Sequence, residues 1–203
     1  MTPRRRTRDA AETRAGILDG AERLFAENGF DATPTSAIAE AAGVPKGLLF
    51  YYFPTKAELL RALVAERMSL GPLDVDAFVE PGDPAGALLN LTAKIRELED
   101  ASHVIGVIVS REQHTHPEVL SALREHRERL QALIERVLSA SAPARPTASR
   151  LRSAARAWLG ILALGSDRAS EAARTELASL AEFVCDGLLP TGLKAGAAGG
   201  ATP

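Results

Sequence analysis

Lysine, leucine and tyrosine occur close together between positions 46 and 51, where their side chains could contact a nucleic acid. Lys46 attracts phosphate, and Tyr51 combines an aromatic ring with a hydroxyl that can hydrogen-bond a phosphate oxygen. Leu48 could touch the methyl group of a thymine. The apolar residues around them recur at helical spacing, which predicts one short helix. The solvent-facing side of this helix is expected to carry Lys46, Gly47, Leu48 and Tyr51.

Local positive charge, rather than the charge of the whole chain, would have to attract a nucleic acid. The 203 residues contain 24 Lys and Arg against 26 Asp and Glu, for a net charge of −2. Residues 1–56 have eight basic and seven acidic residues, and only their first segment is strongly basic, through Arg4, Arg5, Arg6 and Arg8. Lys56 is expected in the first turn of a later helix, where amides and ammonium together would favour a bound phosphate. A DNA contact therefore depends on where a few cations point.

The first two helices have recognisable ends. A helix over residues 9–28 carries an apolar stripe and stops at Gly29, where a left-handed residue is favoured after a helix. A short helix over residues 34–42 follows, with Thr33 as its expected N-cap and Pro34 at its first position.

The next two helices complete the N-terminal pattern. Residues 43–45 break the chain, and a helix of two turns covers residues 46–52. Thr55 and Glu58 have the spacing of a capping box and begin a fourth helix. Two short helices joined by a glycine-containing turn, after a longer helix, form the helix-turn-helix pattern.

The rest of the chain also predicts helices, so the fold class is all-α. Residues 71–84 are expected to form a loop or a broken short helix, residues 139–147 a loop, and residues 190–203 a tail without order. Residues 103–110 are locally strand-like, but no partner strand is visible, which favours a buried helix. Further helices are predicted at residues 85–101, 117–140, 148–164 and 170–188.

Residues 29–60 resemble the DNA-binding signature of the TetR family. The resemblance depends on Ile38-Ala39, Ala42-Gly43-Val44, Lys46-Gly47, Tyr52-Phe53 and Lys56, and it is strong over about residues 10–65. It implies a homodimeric transcriptional regulator, usually a repressor, that binds a palindromic double-stranded operator and is released by a small molecule. The single cysteine and the lack of a long apolar run independently make a cytoplasmic location the default expectation. The implied DNA contacts are Thr33, Ser36, Lys46, Gly47, Leu48, Tyr51 and Lys56.

Two departures from the family pattern leave a second hypothesis open. Pro45 replaces the usual Ser or Thr before the recognition helix, and Phe50 stands where a Tyr commonly contacts phosphate. The alternative is a helical small-molecule-binding protein with weak or no specific DNA binding.

The resemblance and the helical pattern together divide the chain into four parts. Residues 1–9 are interpreted as a basic disordered arm and residues 10–54 as the three-helix DNA-binding domain. Residues 55–189 are interpreted as a helical ligand-binding and dimerisation domain, and residues 190–203 as the tail. Two apolar stripes could pack inside their own subunit, but the resemblance favours a dimer interface formed by Ala154, Ala157, Ile161, Leu164, Leu177, Leu180 and Val184. The resemblance places a ligand pocket among the middle helices, where the candidate ligand-binding residues are Met68, Phe78, Val104, Ile108, His114 and Trp158.

Several other classes of protein find no support in the sequence. There is no Gly-rich phosphate loop, nucleophile elbow or metal-ligand cluster, so neither an enzyme, a metal site nor a cofactor is predicted. The single cysteine, Cys185, excludes an internal disulfide. The longest apolar run falls far short of the ~18 residues needed to cross a bilayer, so no membrane partner is expected.

Overall fold

The computed structural model of the protein describes residues 3–71, 73–100, 103–164 and 170–188. Within these ranges the backbone forms nine α-helices and one turn of 3-10 helix, Val75–Phe78, and contains no β-strand. The all-helical prediction is confirmed. In chain order the helices are α1 (Pro3–Asn28), α2 (Thr35–Ala41), α3 (Lys46–Tyr52), α4 (Lys56–Arg67), α5 (Pro84–Asp100), α6 (His103–Glu112), α7 (Pro117–Ser141), α8 (Ala148–Leu164) and α9 (Glu171–Asp186).

The chain packs into two compact units that are not continuous in sequence. The first contains the described residues up to Ser69 together with Leu98–His126, and the second contains Leu70–Glu97 and the described residues from Arg127 onward. The sequence-based division instead begins the second domain at residue 55. The difference arises because α4 and α6 bury their apolar faces in the first core. That core joins Leu59, Leu60, Leu63, Val64, Ile105 and Ile108 to Ile17, Leu18, Ile38 and Leu49.

Helix ends in the first unit follow the local sequence closely. Gly29 has φ +83° and its N–H donates to Phe25 O at 2.9 Å, which ends α1 as predicted. The turn between α2 and α3 contains Gly43 at φ +65°. The capping box of α4 is present, with the Glu58 amide 3.0 Å from Thr55 Oγ1 and the Thr55 amide 3.2 Å from Glu58 Oε2.

Some predicted boundaries and environments differ from the structure. α1 begins at Pro3 rather than near residue 9, so its backbone includes residues that the sequence assigned to the arm. The N-cap of α2 is Pro34, not Thr33, and no side chain caps that helix. Residues 103–110 lie in a helix as predicted, but α6 is buried on one side only, because Val104 and Val107 are exposed. The predicted tail, residues 190–203, lies outside the described residues.

The second unit has its own apolar core, centred on Trp158. The side chain of Trp158 is fully buried and packs among residues of α5, α7, α8 and α9, which include Leu88, Leu91, Val137 and Ala181. Asp83 begins α5 by accepting a hydrogen bond from the Gly86 amide at 2.8 Å. Among the described residues, no helix is both long enough and apolar enough to traverse a bilayer.

Candidate nucleic-acid interface

The helix α3 presents to solvent the residues that the sequence predicted for it. Leu49 is fully buried and Phe53, just after the helix, is 2% exposed, so one side of α3 is fixed in the core. Tyr51 is 77% exposed and Leu48 is 36% exposed. Lys46 and Gly47 are also exposed. A helix this short is marginal by itself, so the core contact determines which side faces outward.

Aromatic contacts give the exposed side of α3 a defined surface. The ring of Tyr51 meets the half-buried ring of Tyr52 edge to face, with centroids 5.3 Å apart. The Lys46 ammonium lies 5.8 Å from the centroid of Phe50, which is itself 37% exposed. Gly47 leaves the surface open, because a Cβ added there would have no neighbouring atom within 4 Å. The helix backbone is therefore accessible at Gly47.

Lys56 is held against the turn that follows α1. Its Nζ lies 4.3 Å from the centroid of the Phe30 ring and donates a hydrogen bond to Asp31 O at 3.4 Å. Burial lowers the pKa of Lys56 from its usual value, while the carboxylates of Asp31 and Glu112 act in the opposite direction. The side chain is thus partly ordered within the first unit before any ligand binds.

The two polar residues predicted near α2 have different environments. Ser36 is exposed and remains a candidate contact. Thr33 is 1% exposed, and its hydroxyl lies 2.7 Å from Gly29 O and 3.1 Å from Leu24 O. A hydroxyl that faces these carbonyls is not presented to a phosphate. We therefore remove Thr33 from the set of DNA contacts and assign it to stabilising the end of α1.

Arginine side chains that the sequence analysis did not single out connect α1 with α4. Arg14 Nη1 lies 2.7 Å from Glu66 Oε2, and its guanidinium lies 4.9 Å from the Phe53 ring centroid at the end of α3. Arg67 bonds to Glu22 at 2.7 Å and also to Asp19. Hydrogen bonding to Glu66 raises the pKa of Arg14. These pairs brace the two helices that support α3.

The side chains of Arg4, Arg5, Arg6 and Arg8 lie outside the described part of the molecule.

The candidate ligand-binding residues are divided between the two units. Met68, Val104, Ile108 and His114 belong to the first unit, and Phe78 and Trp158 to the second. Ile108 and Trp158 are core residues at 1% and 0% exposure, whereas Val104 and His114 are exposed. Neither unit by itself gathers the six residues around one cavity. In the described residues, no group of three or more His, Cys, Asp or Glu side chains could hold a metal ion.

The predicted dimerisation stripes are partly occupied within the second unit. Ala154 and Val184 are buried there, Ile161, Leu177 and Leu180 are half-buried, and Ala157 is exposed. The side chain of Leu164 lies outside the described part. The sequence analysis missed Phe183, which is 78% exposed on α9. A groove of about 540 Å³ lies beside it, between α9, the start of α5 and the loop after α7.

The geometry of the first unit defines a class of protein. α2, a turn containing Gly43 and the outward-facing helix α3 form a helix-turn-helix domain, which α1 and α4 support. Residues 17–63 match the family model described as bacterial regulatory proteins, tetR family. Residues 17–63 are therefore similar to the N-terminal region of tetR-family regulators.

Individual relatives extend the comparison in sequence and in structure. The transcriptional regulator AcrR of Shigella flexneri is 33% identical over 96 residues, 46% of this chain and 45% of AcrR. The regulator TtgR of Pseudomonas putida is 46% identical over 61 residues, 30% of this chain and 29% of TtgR. The chain thus matches less than half the length of these curated relatives. Salmonella enterica GusR has a similar fold, with a TM-score of 0.60 and 27% identity over 87% of this chain and 95% of GusR.

Proposed function

We propose that the chain is a DNA-binding transcriptional regulator that places α3 in the major groove of an operator. The observation that carries the proposal is the division of α3 into a buried side at Leu49 and an open side at Lys46, Gly47 and Tyr51. Lys46 and Tyr51 supply a cation and a hydroxyl for phosphate, and Leu48 supplies an apolar contact for a base. Lys56 and Ser36 add polar groups from the flanking helices.

A binding assay over a salt series tests this proposal. A labelled fragment from beside the gene for the protein is titrated with protein, and affinity is measured by fluorescence anisotropy. Specific binding through phosphate contacts should weaken steeply with salt, with a slope of about −0.9 for each phosphate neutralised. An affinity for this fragment no higher than that for unrelated DNA at the same salt concentration would contradict the regulator and favour the alternative, a helical small-molecule-binding protein.

Variants of α3 locate the contact. We expect Lys46→Ala and Tyr51→Ala to weaken binding about tenfold or more without a change in helical content. Lys94→Ala serves as the matched control, because it removes a lysine from α5 in the second unit, where Lys94 pairs with Glu97 at 2.9 Å. Equal losses for Lys94→Ala and Lys46→Ala would indicate a general charge effect and not a contact through α3.

We infer that the regulator acts as a homodimer on a palindromic site. Two copies of α3 would need to lie about 34–36 Å apart, one turn of DNA, or a near multiple. Phe183 supports dimerisation through α9, because it is 78% exposed and follows the half-buried Leu177 and Leu180 at three-residue spacing, so that apolar surface continues along one side of the helix, as is typical of protein–protein contacts. The small net charge of residues 1–56 also favours two copies, because each copy contributes few cations.

We propose further that a small molecule releases the repressor from its operator. Such an effector would bind more tightly to a conformation that does not bind the operator than to the one that does. A difference of only ~1.4 kcal/mol between its two binding free energies lowers operator affinity tenfold. Trp158 is the only tryptophan in the sequence, so its emission reports binding within the second unit. A compound that changes this emission should also raise the concentration of protein needed to bind the operator. Unchanged operator affinity in the presence of that compound would contradict the effector role.

A further inference from the structure

A buried carboxylate at the end of α6 holds the turn on which Lys56 rests. Glu112 is only 5% exposed, and its Oε1 accepts a hydrogen bond from the Phe30 amide at 3.0 Å. Phe30 follows Gly29, the residue that ends α1 in the left-handed conformation. The bond joins residues 82 positions apart in the chain. Glu112 thereby holds the Phe30 backbone in place through a long-range hydrogen bond, in addition to the local signal at Gly29.

Two other side chains near the end of α6, those of Arg111 and His116, also contact the turn or the end of α1. Glu112 Oε2 lies 3.2 Å from His116 Nε2, and the His116 ring packs on the Phe30 ring with centroids 4.4 Å apart. Arg111 Nη1 lies 3.4 Å from both Phe25 O and Ala26 O, in the last turns of α1. The segment from Arg111 to His116 thus contacts the backbone and the ring of the turn at several points.

The same turn also supports Lys56, through the Phe30 ring and the Asp31 carbonyl. The Lys56 ammonium stands over the Phe30 ring and bonds to Asp31 O, so its position depends on both residues of the turn. Removing the Glu112 acceptor would leave the Phe30 amide without its buried partner, and the turn would have to move to satisfy it. Lys56 would then lose the Phe30 ring and the Asp31 carbonyl as fixed partners. The helix α3 would keep its position, because Leu49 anchors it in the core.

We propose that Glu112 is a positioning residue for DNA binding, which acts through Phe30 on Lys56. The inference rests on the proposed function, because it assigns to Lys56 a contact with operator phosphate. The end of α6 would position the Lys56 ammonium through the buried hydrogen bond from the Phe30 amide to Glu112 and through the Phe30 ring. A change in α6 would then alter operator affinity with α3 left in place.

A double-mutant cycle tests whether Glu112 acts through Lys56. We expect Glu112→Leu to weaken operator binding about tenfold and to make the salt slope shallower by about 0.9, the contribution of one phosphate that Lys56 no longer neutralises. In a Lys56→Ala background the same substitution should have almost no further effect. In a Lys46→Ala background its effect should remain complete, since Lys46 does not contact the turn. Equal losses in both backgrounds would indicate a general structural role and overturn the proposal.

Two further variants guard against loss of folding. Glu112→Gln keeps an oxygen that can accept from the Phe30 amide, so it should recover most of the affinity that Glu112→Leu removes; a decrease as large as that of leucine would contradict the proposal. If Glu112→Leu does not fold, Phe30→Leu replaces it in the cycle, because it removes the ring under Lys56 and keeps the Phe30 amide. Absence of specific binding by the unmodified protein would refute the proposed function, whereas additive losses in a protein that binds would refute only this inference.

Discussion

The indole N–H of Trp158 donates a hydrogen bond to Thr92 Oγ1 at 2.9 Å inside the core of the second unit. The same hydroxyl donates to Leu88 O at 2.7 Å, one turn earlier in α5. Thr92 is 2% exposed and Trp158 is fully buried, so neither group can exchange its partner for bulk water. The pair therefore connects α5 with α8 through a polar bond in an apolar core.

Replacement of Thr92 by valine should destabilise the second unit. Valine keeps the shape of threonine but leaves the indole N–H without a partner, at a cost of about 1–3 kcal/mol. Chemical denaturation followed by Trp158 emission measures the change. Thr175→Val is the control, because Thr175 Oγ1 bonds to Glu171 O on the exposed side of α9. A Thr92→Val protein as stable as the control would show that the bond contributes little.

Substitution of Gly47 by alanine should change folding stability and DNA binding in opposite directions. The added methyl group meets no atom of the protein within 4 Å, and alanine favours a helix over glycine by up to about 1 kcal/mol. If the backbone at Gly47 lies close to DNA, the same methyl group should weaken binding. Gly106→Ala on α6 is the control, because its Cβ would also be unobstructed. It should stabilise the protein and leave operator affinity unchanged; retained affinity in Gly47→Ala would exclude a close approach.

If the protein is the homodimer proposed above, substitution of Phe183 by glutamate should shift it from dimer to monomer. A phenylalanine buries about 150–250 Å² when a partner covers it, and a carboxylate at the same place resists burial. Light scattering across a range of protein concentrations measures the oligomeric state. Leu120→Glu, at a residue of the first unit that is 45% exposed, should leave that state unchanged. A Phe183→Glu protein that stays dimeric would place the interface elsewhere.

The thiol of Cys185 should be nearly unreactive in the folded protein. Burial, with smaller contributions from the carboxylates of Asp83 and Asp186, raises the pKa of Cys185 to about 12 from a usual value of 9.0. At neutral pH the thiolate fraction should then be about a thousandfold below that of an exposed cysteine. Labelling with a disulfide reagent, with and without denaturant, measures this difference. Rapid labelling of the native protein would contradict it.

The same pKa shift gives the sign of a pH effect on stability. Because the pKa is raised in the folded state, the stabilising contribution is complete below pH 9 and is lost as the pH rises toward about 12. Cys185→Ala should remove this part of the alkaline loss of stability. Identical pH profiles for the two proteins above pH 9 would rule out the contribution of the thiol.

The sequence alone determined the features that depend on contacts over three or four residues. Thr55 and Glu58 specify their capping box, Gly29 specifies the end of α1, and the spacing around Leu49 specifies which side of α3 is buried. These signals are local, because a helix brings together residues at fixed short separations. The family signature added the candidate contacts at Lys46 and Tyr51.

Only the tertiary structure decided features that depend on distant residues. The bond from the Phe30 amide to Glu112 spans 82 positions, and Thr33 turns inward because carbonyls at the end of α1 lie beside it. The exposure of Phe183 likewise depends on how α9 packs in its unit. Sequence spacing specifies the face of a helix, but it does not specify which neighbour covers that face, because the core of each unit is formed by helices far apart in the chain.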